Sequence, residues 1–172
     1  MTGFDCSFLY VKDKAALIGA GKIDASYITR TAADDVIDFR DWQVALGRKF
    51  RSIRVWMVMQ EYGLSGIRAM LRKHIELAGK FASLVSADSR FEIPIKPAFA
   101  LVTFRVCDDE EKTQALCAAV RSRTDIYMDG AVIHGKTYLR YVPCSELTDE
   151  HHVDKAWEII QEEAEKVFAS DQ

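Results

Sequence analysis

The spacing of apolar residues changes character at Asp88. Before this residue, apolar side chains recur every three or four positions from Trp42 to Val85, which is typical of one face of a helix. Gly63 and Ser65 divide the region, because glycine ends helices and serine caps them, so we predict one helix over 41–62 and a second beginning near Ser65. After Asp88 the apolar residues alternate or run continuously, as they do in strands. This change predicts an α/β chain whose C-terminal part is an α+β domain.

The part beyond Asp88 predicts an antiparallel sheet flanked by helices. His134-Gly135 is a turn signal between two strand-like runs, and Thr148 can cap a last helix. The predicted strands are 91–95, 99–106, 127–133 and 136–142, and the predicted helices are 108–122 and the segment that follows Thr148.

The first forty residues are less regular. The run from Phe4 to Val11 is mostly apolar and stops at charged residues, so we predict a buried strand. From Asp13 to Asp38 no apolar face repeats, which predicts a long loop. Structureless loops of that length in compact domains are often active-site lids.

Composition and charge exclude several classes of function. The formal net charge of −3 over 172 residues gives no electrostatic reason to expect a nucleic-acid partner. Charged residues interrupt the apolar runs before the ~18 residues that a membrane span requires. The four cysteines have no metal-site spacing, and we expect no metal site. No signal peptide is apparent, so we expect a cytoplasmic protein with reduced thiols.

Several motifs, in order along nearly the whole chain, resemble one enzyme family. The tract from Asp41 to Ser52 reads DWQVALGRKFRS, and the chain opens with Phe4-Asp5-Cys6-Ser7. On these motifs the chain resembles the pyridoxal-phosphate-dependent (group II) aromatic-L-amino-acid decarboxylases. The other matching segments are 38–43, 51–56, 61–66, 72–75, 88–93, 101–105 and 139–145.

The resemblance implies a fold, a cofactor and an assembly. The family has the fold of type I pyridoxal-phosphate-dependent transferases, so residues 1–53 would be the end of the large cofactor-binding domain and 54–172 the small C-terminal domain. Its Schiff-base lysine, in a His-Lys motif, lies a few residues upstream of the Phe-Asp-Cys segment. We therefore expect the C-terminal portion of a homodimeric enzyme, with no cofactor-binding residue in this chain.

The same resemblance assigns a catalytic role to Tyr27. In the family, a tyrosine on a mobile loop after the Phe-Asp-Cys strand gives a proton to the substrate's α-carbon, and Tyr27 matches that position. A phenol with a pKa near 10 is neutral at pH 7 and can donate this proton. Family members with phenylalanine there resemble aldehyde synthases. Tyr27 therefore predicts simple decarboxylation, although a half-buried loop aromatic with no chemical role is the alternative.

Gly47 is the second residue that the resemblance singles out. In related plant enzymes this position is glycine in forms that favour indolic substrates and serine in forms that favour phenolic ones. A methylene-sized change in a pocket discriminates by only about 1–3 kcal/mol, so Gly47 favours tryptophan-type substrates modestly. A glycine that permits close helix packing is the competing explanation.

Two hypotheses follow. In the first, the chain is the C-terminal part of a decarboxylase that releases CO2 from tryptophan, tyrosine or dihydroxyphenylalanine, and is inactive alone because it lacks the Schiff-base lysine. In the second, it is a stand-alone dimerisation or interaction module, or a pseudoenzyme, derived from such a decarboxylase. The second is motivated by apolar faces in the first sixty residues that would otherwise remain uncovered.

Overall fold

The computed structural model describes residues 6–22, 39–42 and 49–169. Their elements are α1 (Lys14–Gly21), a 3₁₀ helix (Phe39–Trp42), α2 (Ser52–Ala87), β1 (Phe91–Glu92), β2 (Val102–Val106), α3 (Glu110–Arg121), β3 (Asp129–Ile133), β4 (Lys136–Tyr141) and α4 (Glu150–Ala169). The chain divides into two compact units, 1–63 and 64–172.

The division falls at a break in α2. Gly63 has φ 61° and ψ 171°, outside the helical region, so α2 consists of two helical stretches, 52–62 and 64–87. A positive φ suits glycine because it has no Cβ. The predicted helix end at Gly63 is thus confirmed. The assignment of 1–53 and 54–172 to two domains of a larger enzyme stays a prediction.

The first unit contains a helix that the sequence pattern did not indicate. Asp13 caps α1, because its carboxylate accepts hydrogen bonds from the backbone N–H groups of Ala15 (2.8 Å) and Ala16 (3.4 Å). The prediction of an irregular loop is therefore wrong over 14–21. The prediction of a strand over 4–11 is also wrong for its described part, since residues 6–11 have no regular structure.

The second unit is built on a sheet with the strand order β1-β2-β4-β3, and all its neighbouring strands are antiparallel. β3 and β4 form the predicted hairpin, and both turn residues have positive φ, His134 at 50° and Gly135 at 76°. Such angles at both central residues are typical of tight hairpin turns. β1 is shorter than predicted because only Phe91 and Glu92 pair with β2.

One face of the sheet packs against helices to form the core. Phe104 of β2 and Leu139 of β4 are opposite each other on this face and are almost fully buried. Burying such side chains contributes about 1.5–3 kcal/mol each. The rest of the core comes mainly from Leu77, Ala78, Phe81 and Val85 of α2, Leu116 and Val120 of α3, and Val153, Trp157, Ile160 and Ala164 of α4.

The helix faces follow the predicted periodicity only in part. The helical period of α4 predicts that Val153, Trp157, Ile160, Ala164 and Val167 face inward, and the first four are buried while Val167 is half-buried. On α2 the predicted inward residues Ala78, Phe81 and Val85 are buried, but Leu71 and Ile75, which were also predicted to face inward, are half exposed. His74 and Leu77 are buried in their place.

Hydrogen bonds and a cation–π contact stabilise the face of β2 opposite the core and the first turn of α3. Arg105 is buried on the face opposite the core, and its Nε donates to Glu92 Oε1 at 2.5 Å, while its guanidinium lies 5.9 Å from the centre of the Tyr138 ring. Thr113 of α3 accepts a hydrogen bond from the backbone N–H of Val106 (3.2 Å) and donates to the carbonyl of Asp109 (2.6 Å). These bonds satisfy polar groups that would otherwise be buried without partners.

Candidate functional site

The predicted catalytic residue, Tyr27, and the predicted substrate-binding residue, Gly47, lie outside the described residues. Tyr27 falls in the interval 23–38 and Gly47 in the interval 43–48. Their roles therefore stay predictions. The structure does describe the elements on both sides of Tyr27, which are α1 before it and the 3₁₀ helix after it.

These two flanking elements contact each other. Nζ of Lys14, the first residue of α1, lies 5.0 Å from the centre of the Trp42 ring. The Phe39 ring meets the same indole edge-on, with ring centres 5.8 Å apart and planes at 62°. Asp41, between the two aromatics, is buried. The chain before residue 23 and the chain after residue 38 are thus joined by a cation–π contact.

This contact was not predicted from the sequence. The sequence pattern places Trp42 on the apolar face of a long helix beginning at Asp41, whereas Trp42 is the last residue of a 3₁₀ helix. No local signal in the sequence indicates this contact, because Lys14 and Trp42 are distant in sequence.

The side-chain amines of Lys73 and Lys80, the two lysines of α2, donate hydrogen bonds to oxygen atoms. Lys80 Nζ lies 2.8 Å from the Asp154 carboxylate and 3.1 Å from that of Glu150. The hydrogen bond to Asp154, followed by that to Glu150, raises the pKa of Lys80. Lys73 Nζ donates to the carbonyl of Glu146 at 3.3 Å. A Schiff-base lysine needs a neutral amine that is free to attack, so these two side chains are unsuited to that role.

Two of the histidines, His74 and His152, form hydrogen-bonding contacts within the described chain. His74, expected on a helix surface, is buried, and its Nε2 lies 3.0 Å from the carbonyl oxygen of Ser145. His152 Nδ1 lies 2.6 Å from Asp149 Oδ1, and this hydrogen bond lowers the pKa of the Asp149 carboxyl. Over residues 6–22, 39–42 and 49–169, no three His, Cys, Asp or Glu side chains are grouped as metal ligands.

Asp149, rather than the predicted Thr148, caps α4. Its carboxylate accepts a hydrogen bond from the backbone N–H of His152 at 3.2 Å, three residues into the helix.

None of the helices described is long and apolar enough to cross a membrane. The four cysteines are free thiols, and burial raises the pKa of Cys117.

Comparison with known proteins connects this fold to a family. A model of the pyridoxal-dependent decarboxylase conserved domain matches residues 1–107. Tyrosine decarboxylase 2 of Narcissus pseudonarcissus is 39% identical over 98% of this chain and 36% of its own length. Phenylacetaldehyde synthase of Arabidopsis thaliana is 43% identical over 95% of this chain and 35% of its own length.

The comparison with solved structures finds similarity to an enzyme of the same kind as these relatives. The crystal structure of Oryza sativa TDC with PLP and tryptamine is similar with a TM-score of 0.83 and 32% identity, over 91% of this chain and 34% of that one. This similarity confirms the predicted fold class. The chain spans about a third of the length of the curated relatives that it matches.

The family match covers more than half of the chain, 107 of its 172 residues. It includes the Phe-Asp-Cys segment, the Asp41 tract and the other motifs of the resemblance up to residue 105. The predicted family is therefore confirmed. The chain belongs to the pyridoxal-dependent decarboxylase family.

Proposed function

We propose that this chain is the C-terminal part of a pyridoxal-phosphate-dependent aromatic-L-amino-acid decarboxylase, a carbon–carbon lyase that converts an aromatic amino acid into the amine and CO2. The observation that carries the proposal is the alignment of 98% of the chain with about a third of a tyrosine decarboxylase. Residues 1–53 would complete the large domain and 54–172 would form the small one.

Pyridoxal phosphate would supply the electron sink for decarboxylation. In this proposal no residue of this chain holds the cofactor, and the amines of Lys73 and Lys80 donate hydrogen bonds to the Glu146 carbonyl and to the Glu150 and Asp154 carboxylates. The residues that hold the cofactor would lie in the preceding part of the enzyme. This chain would contribute the proton donor, part of the substrate pocket and the supporting domain.

In this proposal Tyr27 gives the α-carbon of the substrate the proton that replaces CO2. A neutral phenol at pH 7 suits the role, and exclusion of water around it would favour transfer to carbon. Gly47 would leave room beside the substrate for an indole ring. The similarity to the Oryza sativa TDC whose structure contains tryptamine supports an indolic substrate, whereas the Narcissus relative named for tyrosine supports a phenolic one.

We further propose that the complete enzyme is a cytoplasmic homodimer. Exposed apolar side chains in this chain support a partner surface that would cover them: Phe8, Leu9 and Tyr10 are 66%, 72% and 89% exposed. Contiguous apolar surface of this kind marks an interaction face in soluble proteins.

The same exposure favours a second candidate function, a stand-alone interaction module. The helical stretch 52–62 also exposes more than half of Trp56, Met57 and Met59. In that case the isolated chain would pair with itself or with a full-length relative. Light scattering of the purified chain, alone and mixed with such a relative, tests this possibility. A chain that stays monomeric alone and does not bind the relative would exclude the interaction module.

The decarboxylase proposal is tested with two polypeptides, the 172-residue chain and one extended upstream to the full length of its relatives, so that it includes the large domain with the His-Lys motif. Both are supplied with pyridoxal phosphate and with tryptophan, tyrosine or dihydroxyphenylalanine. We expect CO2 and amine from the extended polypeptide and neither from the shorter one. Turnover by the 172-residue chain alone would show that the required lysine has been misplaced.

A further inference from the structure

Four polar side chains lie together on the sheet face opposite the core. Phe104 of β2 is in the core and side chains alternate along a strand, so Thr103 and Arg105 are on the other face. Arg140 of β4 is paired with Thr103, and Tyr138 is two residues before Arg140 on the same face. Side chains paired across antiparallel strands have Cβ atoms about 4.5–5.5 Å apart. We call Thr103, Arg105, Tyr138 and Arg140 the outer-face cluster.

Two side chains of the outer-face cluster are buried although their hydroxyl groups form no hydrogen bond within residues 6–22, 39–42 and 49–169. These are Thr103, which is 6% exposed, and Tyr138, which is 7% exposed. A buried polar group without a partner costs free energy of folding, so such groups are rare in native proteins. A ligand that accepts hydrogen bonds from both hydroxyls would explain why they are there.

Arg140 is the exposed cation of the cluster. Its neighbour on β3 is Asp129, yet no ion pair joins the Arg140 guanidinium to a carboxylate in the described part of the chain. Asp129 instead accepts a hydrogen bond from the backbone N–H of Gly130 at 2.9 Å and lies 3.8 Å from Nη1 of Arg121. The planar guanidinium of Arg140 can therefore bind an anion through two parallel hydrogen bonds.

The surrounding charges determine which anion fits. Arg105 is already paired, because its Nε donates to Glu92 Oε1 and its Nη1 lies 3.9 Å from Glu110 Oε2. Together with Asp129, these two carboxylates would repel a dianion such as phosphate. A monoanion is matched by the single unpaired guanidinium of Arg140. A carboxylate is such a monoanion, and its two oxygens fit the guanidinium fork.

We propose that the outer-face cluster is a carboxylate-binding site. Arg140 binds both carboxylate oxygens, and the hydroxyls of Thr103 and Tyr138 donate hydrogen bonds to them. Arg105 positions the Tyr138 ring, whose centre lies 5.9 Å from its guanidinium. The carboxylate belongs either to a small free molecule or to an acidic side chain of a longer polypeptide, since the chain spans only 36% of a relative's length.

Titration of the 172-residue chain with sodium acetate, at an ionic strength held constant with sodium chloride, tests the site. We expect the NMR signal of the Arg140 Nε–H group to shift saturably, with weaker binding of phosphate. Arg140→Gln should weaken acetate binding about tenfold or more, and Arg140→Lys by less, because lysine keeps the charge but not the fork. No saturable shift, or tighter binding of phosphate, would overturn the proposal.

Lys136→Gln is the matched control, because it removes another exposed cation from the same face of β4 and should leave acetate binding unchanged. Thr103→Val removes the unpaired hydroxyl at nearly constant shape. It should weaken acetate binding about two- to tenfold without lowering the urea midpoint of the acetate-free chain. A lower midpoint would show that the hydroxyl has a partner within the chain, which contradicts the site.

The full-length polypeptide distinguishes the two sources of the carboxylate. If acetate binds it as it binds the 172-residue chain, with the same loss in Arg140→Gln, the ligand is a free molecule. If acetate binds only the shorter chain, and Arg140→Gln lowers the unfolding midpoint of the full-length polypeptide, the carboxylate comes from the added part. Acetate binding by neither polypeptide would refute the site whatever the outcome of the decarboxylase assay.

Discussion

The Phe81 ring of α2 stacks on the Tyr141 ring of β4, with ring centres 3.8 Å apart and planes 12° apart. Phe81 also meets Phe104 and Trp157 edge-on, at 5.5 and 5.9 Å. One side chain thus contacts the last strand, the neighbouring strand and the last helix. The stacked pair is the centre of the second unit's core.

We predict that Phe81→Ala strongly destabilises this unit. Phe81 is fully buried, and truncating a buried phenylalanine costs about 3–5 kcal/mol through lost packing and the cavity left behind. Urea denaturation followed by circular dichroism should show the loss as a lower midpoint. Phe99→Ala is the control, since Phe99 is 87% exposed and should change stability by less than about 0.5 kcal/mol.

The stacked tyrosine gives the unit a dependence on alkaline pH. Burial, and secondly the charge of Asp154, raises the pKa of Tyr141 to about 12, above the ordinary tyrosine value near 10. Because the folded pKa exceeds the unfolded one, the stabilisation is fully present below about pH 10 and is lost as the pH rises towards 12. Tyr141→Phe should remove this part of the loss. Denaturation midpoints of the wild type and of the variant, measured from about pH 9 to about pH 12, test this expectation.

We predict that Gly130→Ala disrupts the packing of α3 on β3. A Cβ at Gly130 would lie 2.5 Å from Cys117 Sγ and 3.2 Å from the Tyr138 carbonyl oxygen. Overpacking of this kind typically costs about 1–3 kcal/mol. Adding Cys117→Ala removes the closer atom and should restore part of the stability. Additive effects in the double-mutant cycle would contradict the proposed clash.

We predict that Gly79→Ala, unlike Gly130→Ala, stabilises the protein. A Cβ there meets nothing within 4 Å, and Gly79 lies within the helical part of α2. Alanine in an exposed helix interior is favoured over glycine by about 1 kcal/mol. We therefore expect a higher unfolding midpoint for this variant, and a lower one would indicate an unrecognised contact.

The proposed pocket position is tested by Gly47→Ser in the extended enzyme. If Gly47 leaves room for an indole, the added side chain should lower kcat/KM for tryptophan relative to tyrosine by about tenfold or more. Steady-state kinetics with both substrates measure the ratio. An equal change for both would favour the alternative that Gly47 serves helix packing.

Some features of this protein followed from local sequence. The β3–β4 hairpin was predicted from His134-Gly135, because a tight turn needs two residues that tolerate positive φ. The inward face of α4 was predicted from its period, and the break at Gly63 from glycine's conformational freedom. The family was predicted from motifs that extend along nearly the whole chain.

Other features were decided only by tertiary structure. The pattern of α2 favoured Leu71 and Ile75 as core residues, but the elements packed against α2 bury His74 and Leu77, and a carbonyl of the segment before α4 satisfies the imidazole. Likewise, nothing local indicated that Lys14 would lie over Trp42, twenty-eight residues further along the chain. Sequence by itself determined turns, caps and periods, because these depend on neighbouring residues. Which side chains share a core or a cation–π contact depends on partners that are distant in sequence, and only the folded chain brings these together.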